Sequence, residues 1–171
     1  MPARLAGGFS AALLMLLVVA IAGCELPSTS SATVQVGTPL PPLAAEGWIG
    51  QEPSAEELKG QVVVVQCWAY WCGPCREEAP EVVENYVRYR NRGVKFIGLT
   101  PDGASDLTKI QEAIGELSMQ WPHGYGAQET LSELNVTFLP TLIVVGRDGR
   151  VAWVNFTEGT LQQAIEKALA E

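Results

Sequence analysis

The chain has 171 residues, of which 47% are hydrophobic, and its formal net charge at pH 7 is −8. This length and composition suit one domain with a buried core. The negative charge and the lack of a basic stripe exclude nucleic acid as an expected partner. The single histidine, His123, excludes a multi-histidine metal centre within one chain.

The first 23 residues have the layout of an export signal, with a cation at Arg4 and an apolar core from Ala11 to Ala22. That core is too short for a comfortable transmembrane helix. The four residues ending at Cys24 (Ile-Ala-Gly-Cys) resemble a bacterial lipoprotein box, in which the cysteine becomes the acylated N-terminus. An ordinary signal peptide with an incidental cysteine is the alternative. We therefore expect residues 1–23 to be a lipoprotein signal peptide and Cys24 to carry the lipid.

Residues 24–37 are rich in small polar side chains and predict a flexible tether, which leaves 38–171 for the domain. The proline-rich stretch from Thr38 to Ile49 suits a segment at the edge of a sheet. A capping box at Ser54 to Glu57 predicts a short helix that ends before Gly60.

A nearly continuous run of β-branched residues from Gln61 to Cys67 predicts a strand that is buried on both faces. Helical spacing follows from Cys75 to about Tyr89. The later pattern predicts a strand at Val94 to Leu99, a helix at Ser105 to Met119 and a loop at Trp121 to Ala127. It then predicts a short helix at Glu129 to Leu134, a hairpin at Thr141 to Asn155 and a last helix from Leu161. This order predicts an α/β fold, with a mixed central sheet and helices on both faces.

The pentapeptide Trp71-Cys72-Gly73-Pro74-Cys75 stands between the predicted buried strand and the helix that follows it. Two cysteines at this spacing can close and open a small disulfide ring without moving the rest of the fold. The free N–H groups and partial positive charge of the helix N-terminus favour a thiolate on Cys72, the predicted attacking group. Cys75 would then resolve a mixed disulfide. Pro74 has no N–H and a fixed φ, so it helps to set the ring geometry.

Two other interpretations of the cysteine pair stay open at this point: a structural disulfide, or half of a zinc site. Zinc would need two further ligands, for which Cys67 and His123 remain besides carboxylates. Cys67 itself is expected to be a small buried thiol inside its strand, with a third redox role as the alternative. His123 is expected in a loop, with no assigned role.

The pentapeptide resembles the active-site motif of the thioredoxin superfamily. Its surroundings are similar to the TlpA/ResA-like branch of membrane-anchored, extracytoplasmic thiol-disulfide oxidoreductases, over roughly Val36 to Leu169. Three further segments carry the resemblance: Val63 to Tyr70, Cys75 to Glu81, and Leu139 to Val144. The resemblance implies the thioredoxin fold, a catalytic Cys72–Cys75 pair supported by Trp71, Gly73 and Pro74, and no other cofactor.

The resemblance also assigns roles outside the pentapeptide. Pro140 matches a cis-proline that packs beside the cysteines, and the backbone of Leu139 would pair with an extended substrate. Glu78 matches a carboxylate that would exchange protons with Cys75 if it were partly buried. A solvated residue that favours the helix dipole is the equal alternative for Glu78. Gln66 departs from the family pattern and cannot ionise, which puts a proton relay at its position in doubt.

We therefore predict a thiol-disulfide oxidoreductase, anchored by lipid at Cys24 in a bacterial cell envelope, that reduces protein disulfides. The resemblance implies a membrane thiol reductant as the electron donor, and the cysteines of apocytochrome c as one candidate client. A copper-delivery protein is the alternative from another class, although such modules favour a wider cysteine spacing and a functional histidine. A peroxiredoxin-like peroxidase ranks lower, because the helix lacks the expected Thr-x-x-Cys arrangement.

Overall fold

A six-stranded mixed sheet forms the centre of the molecule in a computed structural model, which describes residues 33–171 together with Met1 and Ala3. Residues 33–171 belong to one compact unit, Ser31–Glu171. Apart from Met1 and Ala3, the predicted signal peptide lies outside the described residues, as do Cys24, the predicted site of lipidation, and most of the predicted tether. Within the described ranges, every helix is too short or too polar to span a membrane.

The sheet runs antiparallel at both edges and parallel in the middle. Its strands are β1 Gly47–Ile49, β2 Val62–Cys67, β3 Val94–Leu99, β4 His123–Tyr125, β5 Thr141–Val145 and β6 Val151–Val154. They lie side by side in the order β1-β4-β3-β2-β5-β6. Strands β2, β3 and β4 are parallel, whereas β1, β5 and β6 are antiparallel to their neighbours. The predicted mixed sheet is therefore confirmed.

Strand β2 is buried along its whole length, as its continuous apolar sequence predicts. It pairs in parallel with β3 and antiparallel with β5. Its last residue, Cys67, lies opposite both Leu99 and Thr141, the first residue of β5. The chain that leaves β2 and the chain that enters β5 therefore meet at one edge of the sheet, namely the edge formed by the carboxyl ends of the parallel strands.

Helices cover both faces of the sheet. They are α1 Ala55–Leu58, α2 Gly73–Tyr89, α3 Leu107–Glu116, α4 Gln128–Glu133 and α5 Leu161–Ala170. Residues of α2, α3 and α5 pack in one core layer. Residues of α4 and the N-terminal segment pack in the other. The predicted capping box is present at the start of α1, where the Ser54 hydroxyl accepts from the Glu57 N–H and the Glu57 carboxylate accepts from the Ser54 N–H.

Two predictions about local structure are wrong. The segment from Trp121 to Ala127 is not only a loop, because β4 lies within it and pairs with β1 and β3. The predicted helix from Ser105 is also shorter, since Ala104–Asp106 forms a 3-10 turn and α3 ends at Glu116. A three-residue strand between proline and glycine is too short to show alternation, which is why the pattern missed it.

His123 is consequently a buried strand residue rather than a loop residue. It is fully buried, and its ring lies 5.4 Å from the Trp68 ring and 5.6 Å from the Trp121 ring, between ring centroids. Burial lowers its pKa to about 3, so the imidazole is neutral at neutral pH. Gly98 of β3 lies directly beside it in the sheet register and leaves the space that the ring fills.

Replacement of Gly98 by alanine should destabilise the protein by about 1–3 kcal/mol, because the new methyl group would overlap the His123 ring at Nδ1. Urea unfolding measures the loss. Gly115→Ala is the matched control: Gly115 lies exposed in α3 with open space around it, so alanine should stabilise by about 0.5–1 kcal/mol. Equal stability of Gly98→Ala and the wild type would contradict this packing.

Candidate active site

Three segments converge at the edge of the sheet where β2 ends. The pairing of β2 with β5 brings the residues after Cys67 close to those before Thr141. The pairing of β5 with β6 adds the end of β6, because the Asn155 N–H donates to the Leu142 carbonyl at 3.0 Å. Helix α2 starts at the same edge, six residues after β2. The site is therefore built by sheet register, and its parts come from distant positions in the sequence.

Cys72 and Cys75 form a disulfide at the N-terminus of α2, with an S–S distance of 2.05 Å. Cys72 is the N-cap residue, and its Sγ accepts a hydrogen bond from the Cys75 N–H at 3.2 Å. The helix N-terminus and this bond would together stabilise a Cys72 thiolate by about 1–3 kcal/mol. Cys72 is 5% exposed and Cys75 1%, so an incoming thiol or disulfide meets Cys72 first. Both observations agree with Cys72 as the attacking sulfur.

The Leu139–Pro140 peptide bond is cis, as the resemblance implied. Pro140 immediately precedes β5, so it lies at the same sheet edge as the chain leaving β2. The Thr141 hydroxyl donates to the Phe138 carbonyl at 2.9 Å and closes the turn around this bond. Pro140 has no N–H to donate, which leaves the backbone of Leu139 as the place where an extended chain could pair.

Glu78 lies one turn after Cys75 on the same side of α2 and is half-buried. Its Oε1 accepts a hydrogen bond from the Asn155 side-chain amide at 3.2 Å. Burial raises the pKa of Glu78 to about 7, the Asn155 hydrogen bond opposes this shift, and the charge of Glu81 adds to it. Of the two interpretations of Glu78, the structure therefore agrees with the partly buried carboxyl and not with a solvated one. Glu77 is exposed.

Cys67 is a buried free thiol, as predicted. Burial raises its pKa to about 12, and the charge of Glu78 contributes to the shift, so it holds its proton at neutral pH. Cys67 packs in the α4 layer of the core, whereas His123 packs against Trp68 and Trp121 in the other layer. The two extra ligands considered for zinc therefore do not come together. Among residues 33–171, no group of three His, Cys, Asp or Glu side chains is arranged around a metal position.

An apolar groove of about 470 Å³ lies between Trp71, the residue before Cys72, and the segment that leads to the cis bond. Its apolar lining is Trp71, Pro101, Leu131, Val136, Phe138 and Leu139. Trp71 is 62% exposed, and its indole N–H donates to Asp102 Oδ1 at 2.9 Å, which holds the ring in place. Phe138 is also exposed and packs against Phe156, with ring centroids 5.4 Å apart.

The structure thus brings together the sequence-predicted residues Trp71, Cys72, Gly73, Pro74, Cys75, Leu139 and Pro140 at one sheet edge and places Glu78 one helical turn away. The sequence reasoning missed two residues of this site, Asp102 and Asn155. Asp102 could be suspected only as a polar residue just after β3. Asn155 follows β6, and no local pattern links it to Glu78 or to Pro140.

Comparison with known proteins identifies the family. The AhpC/TSA family model matches residues 36–154 of this chain. The thiol-disulfide oxidoreductase ResA of Bacillus thuringiensis (strain Al Hakam) is 28% identical over 131 residues, which cover 76% of this chain and 75% of that relative. Protein FixW of Rhizobium leguminosarum is 24% identical over 137 residues, covering 72% of this chain and 62% of FixW.

Two solved structures have the same fold. A Chlorobium tepidum structure described as a thiol:disulfide interchange protein DsbE has a TM-score of 0.69 and 22% identity, and covers 80% of this chain and 99% of that one. A thiol-disulfide isomerase from Corynebacterium glutamicum has a TM-score of 0.65 and 24% identity, over 78% of this chain and 97% of that one. At these identities, the structures establish the fold.

The thioredoxin fold, with a disulfide at a helix N-terminus beside a cis-proline, defines the class: a thiol-disulfide oxidoreductase of the ResA/DsbE type. The chain belongs to the AhpC/TSA family, whose model covers well over half of its length.

The raised pKa of Glu78 predicts a pH-dependent stability. Because the folded pKa of about 7 lies above the ordinary value of 4.5, the folded state binds this proton more tightly, and stability falls as pH rises from about 4.5 to about 7. Glu78→Gln keeps the hydrogen-bond acceptor and does not titrate. Between about pH 4.5 and about pH 7, the free energy of unfolding of Glu78→Gln should therefore rise relative to that of the wild type by about 1–2 kcal/mol. This figure is already reduced to allow for the partial exposure of Glu78.

Urea unfolding of the oxidised protein at a series of pH values measures this difference. Glu77→Gln removes a neighbouring exposed carboxyl and serves as the control for the lost charge. If Glu78→Gln follows Glu77→Gln at every pH, the account of Glu78 is wrong.

Proposed function

We propose that this protein reduces disulfide bonds in other proteins at the outer side of a bacterial membrane, through a Cys72/Cys75 dithiol–disulfide cycle. The observation that carries the proposal is the Cys72 Sγ at the N-terminus of α2, beside the cis Leu139–Pro140 bond. The relatives named as thiol-disulfide oxidoreductases support the same chemistry. The Gly73-Pro74 pair between the cysteines resembles that of reducing thioredoxins and supports this direction of electron flow.

The cycle begins with the reduced protein. The Cys72 thiolate attacks one sulfur of a substrate disulfide, a new S–S bond forms, and the other substrate sulfur leaves as a thiolate. Cys75 then gives its proton to the Glu78 carboxylate and attacks Cys72, which re-forms the Cys72–Cys75 bond and releases the second substrate sulfur. Glu78 passes the proton to a departing thiolate. Two electrons reach the substrate, and an external dithiol later returns them to the protein.

Glu78 suits the proton transfer in this cycle for two reasons. A pKa of about 7 leaves the carboxyl able both to accept and to release a proton near neutral pH. Its second oxygen, Oε2, is buried and has no hydrogen-bond partner among the described residues, so it is free to carry the proton. Gln66, buried nearby in β2, cannot take this role because its side chain does not ionise.

The apolar groove would bind the substrate chain next to its disulfide. An extended segment could pair with the backbone at Leu139 while its apolar side chains rest on Trp71 and Phe138. Exposed aromatic side chains beside a reactive sulfur suit partially unfolded protein substrates, because these expose apolar residues. The cysteines of apocytochrome c are one client of this kind, and we propose them as a candidate.

The N-terminal sequence and the family resemblance support a proposal for the location and the electron donor. We propose that residues 1–23 direct export and that Cys24 is acylated, so that the domain is tethered to the envelope by the residues that follow. A protein held there has no access to cytoplasmic reductants. A membrane protein that carries electrons across the bilayer to an exposed dithiol would supply them.

The order of attack gives the first test of the cycle. With insulin as a model disulfide substrate, Cys75→Ser should accumulate a mixed disulfide through Cys72, because the resolving thiol is missing. Cys72→Ser should trap at least tenfold less, since Cys75 is 1% exposed against 5% for Cys72 and is not the N-cap residue of α2. Non-reducing electrophoresis with mass spectrometry measures the adduct. Cys67→Ala is the matched control and should retain full turnover. Equal trapping by Cys72→Ser and Cys75→Ser would contradict the assigned roles.

The anchor is tested separately. In a bacterial host fed with labelled palmitate, the wild type should sediment with membranes and carry the label. Cys24→Ala should lose the label and move to the soluble fraction or stay as an unprocessed precursor, because the acylated cysteine is gone. Cys67→Ala should behave as the wild type. Labelled, membrane-bound Cys24→Ala would contradict lipidation at this position.

A further inference from the structure

The end of β6 makes two contacts with the active site. Asn155 follows β6 directly, and its side-chain nitrogen donates to Glu78 Oε1 at 3.2 Å and to the Pro140 carbonyl at 3.4 Å. A side-chain amide has two N–H groups, so one can serve each acceptor. The same amide therefore contacts the half-buried carboxyl on α2 and the cis-proline that precedes β5.

Backbone hydrogen bonds and a ring contact fix the position of Asn155 relative to β5 and to the Pro140 turn. Its N–H donates to the Leu142 carbonyl at 3.0 Å, which extends the β5–β6 ladder by one residue. Thr157 then closes a turn, since its N–H and hydroxyl both donate to the Val154 carbonyl, at 2.9 and 2.7 Å. Phe156, between them, packs its ring on Phe138 just before the cis bond.

We propose that Asn155 is a positioning residue of this enzyme: its side-chain amide ties the Glu78 carboxyl to the Pro140 carbonyl, so the proton carrier and the substrate-binding turn act as one unit. The proposal deepens the proposed function and rests on the proton transfer assigned to Glu78 there. Asn155 fixes which carboxyl oxygen is bound and leaves Oε2 free for the proton. A substrate that shifts the Pro140 turn would thereby alter the hydrogen bond that favours the charged form of Glu78.

Other groups near Glu78 do not duplicate this role. The charge of Glu81, one turn further along α2, opposes ionisation of Glu78. Cys67 of β2 holds its proton at neutral pH, and Cys75 is the proton donor in the proposed cycle. Among the described residues, the Asn155 amide donates both to the Glu78 carboxylate and to the carbonyl of the Pro140 turn.

The test compares three variants of the full chain in detergent. Asn155→Leu removes both donors at similar volume, and Asn155→Asp keeps the shape while placing a second carboxylate beside the first. Thr157→Val is the matched control, because it removes a hydrogen bond from the same turn but touches neither Glu78 nor Pro140. NMR of labelled glutamate carboxyl carbons reads the Glu78 titration directly, with Glu78→Gln used to assign the signal.

The expected result is a rise in the Glu78 pKa of about one unit in Asn155→Leu and a larger rise in Asn155→Asp, with no change in Thr157→Val. The pH profile of kcat for a disulfide peptide should move by the same amount, and the shift should vanish in the Glu78→Gln background. If Asn155→Leu fails to fold, Asn155→Ala takes its place, because it also removes both donors and adds no charge beside Glu78.

Two results would overturn parts of this account, and they can be told apart. A Glu78 titration and pH profile left unchanged by Asn155→Leu, or by Asn155→Ala in its place, overturns the positioning role and leaves the cycle intact, whatever the added charge of Asn155→Asp does. A pH profile that Glu78→Gln leaves unchanged overturns the proton transfer in the proposed function. In that second case the NMR titration still decides whether Asn155 controls the carboxyl.

Discussion

The pairing of β2 with β5 is the constraint on which this site depends. Cys67 and Thr141 lie opposite each other, so the reactive turn that follows one strand and the cis-proline that precedes the other share an edge. A slip of one residue would turn the whole buried face of β2 towards the other core layer. Such a slip is costly because all six residues of β2 are buried, so every one of them would have to repack and the polar Gln66 would change layer. The hydrophobic core therefore fixes the geometry of the chemistry.

Around that edge, the protein combines two opposite electrostatic environments. The N-terminus of α2 favours a negative charge on Cys72 through its free N–H groups. One turn further on, partial burial makes a negative charge on Glu78 costly. A sulfur that ionises easily and a carboxyl that ionises reluctantly suit one cycle, because a thiolate is needed for attack and a proton must leave the second thiol. Both environments arise from positions within the first turns of one helix.

The residues of the reactive turn could be predicted from the sequence because local rules determine them. A β-branched run predicts the buried strand, and the cysteine spacing predicts the ring. The resemblance predicted the cis bond at Pro140, which no composition or spacing indicates. The burial of Glu78 was an open alternative, because a carboxylate near the start of a helix can equally well face solvent, and the sequence does not show which side chains cover it.

Asn155 could not be found in the same way, for a physical reason. The hairpin turn at 147–150 would let one count residues across β5 and β6, but a bulge between Val144 and Val145 shifts the register. The shift changes which residue reaches Leu142 and which face it points to. His123 was placed wrongly for a related reason, because its three-residue strand exists through pairing with β1 and β3 rather than through its own pattern.

The equilibrium reduction potential of the Cys72–Cys75 pair tests the central claim most directly. The full chain in detergent would be titrated against glutathione and dithiothreitol, with Cys75→Ser as the control that has no couple. The account predicts a reversible two-electron couple near the thioredoxin value, about −270 mV. A value near −120 mV would contradict the reductase direction and indicate a disulfide-forming oxidase. The absence of any reversible couple would contradict the oxidoreductase function itself.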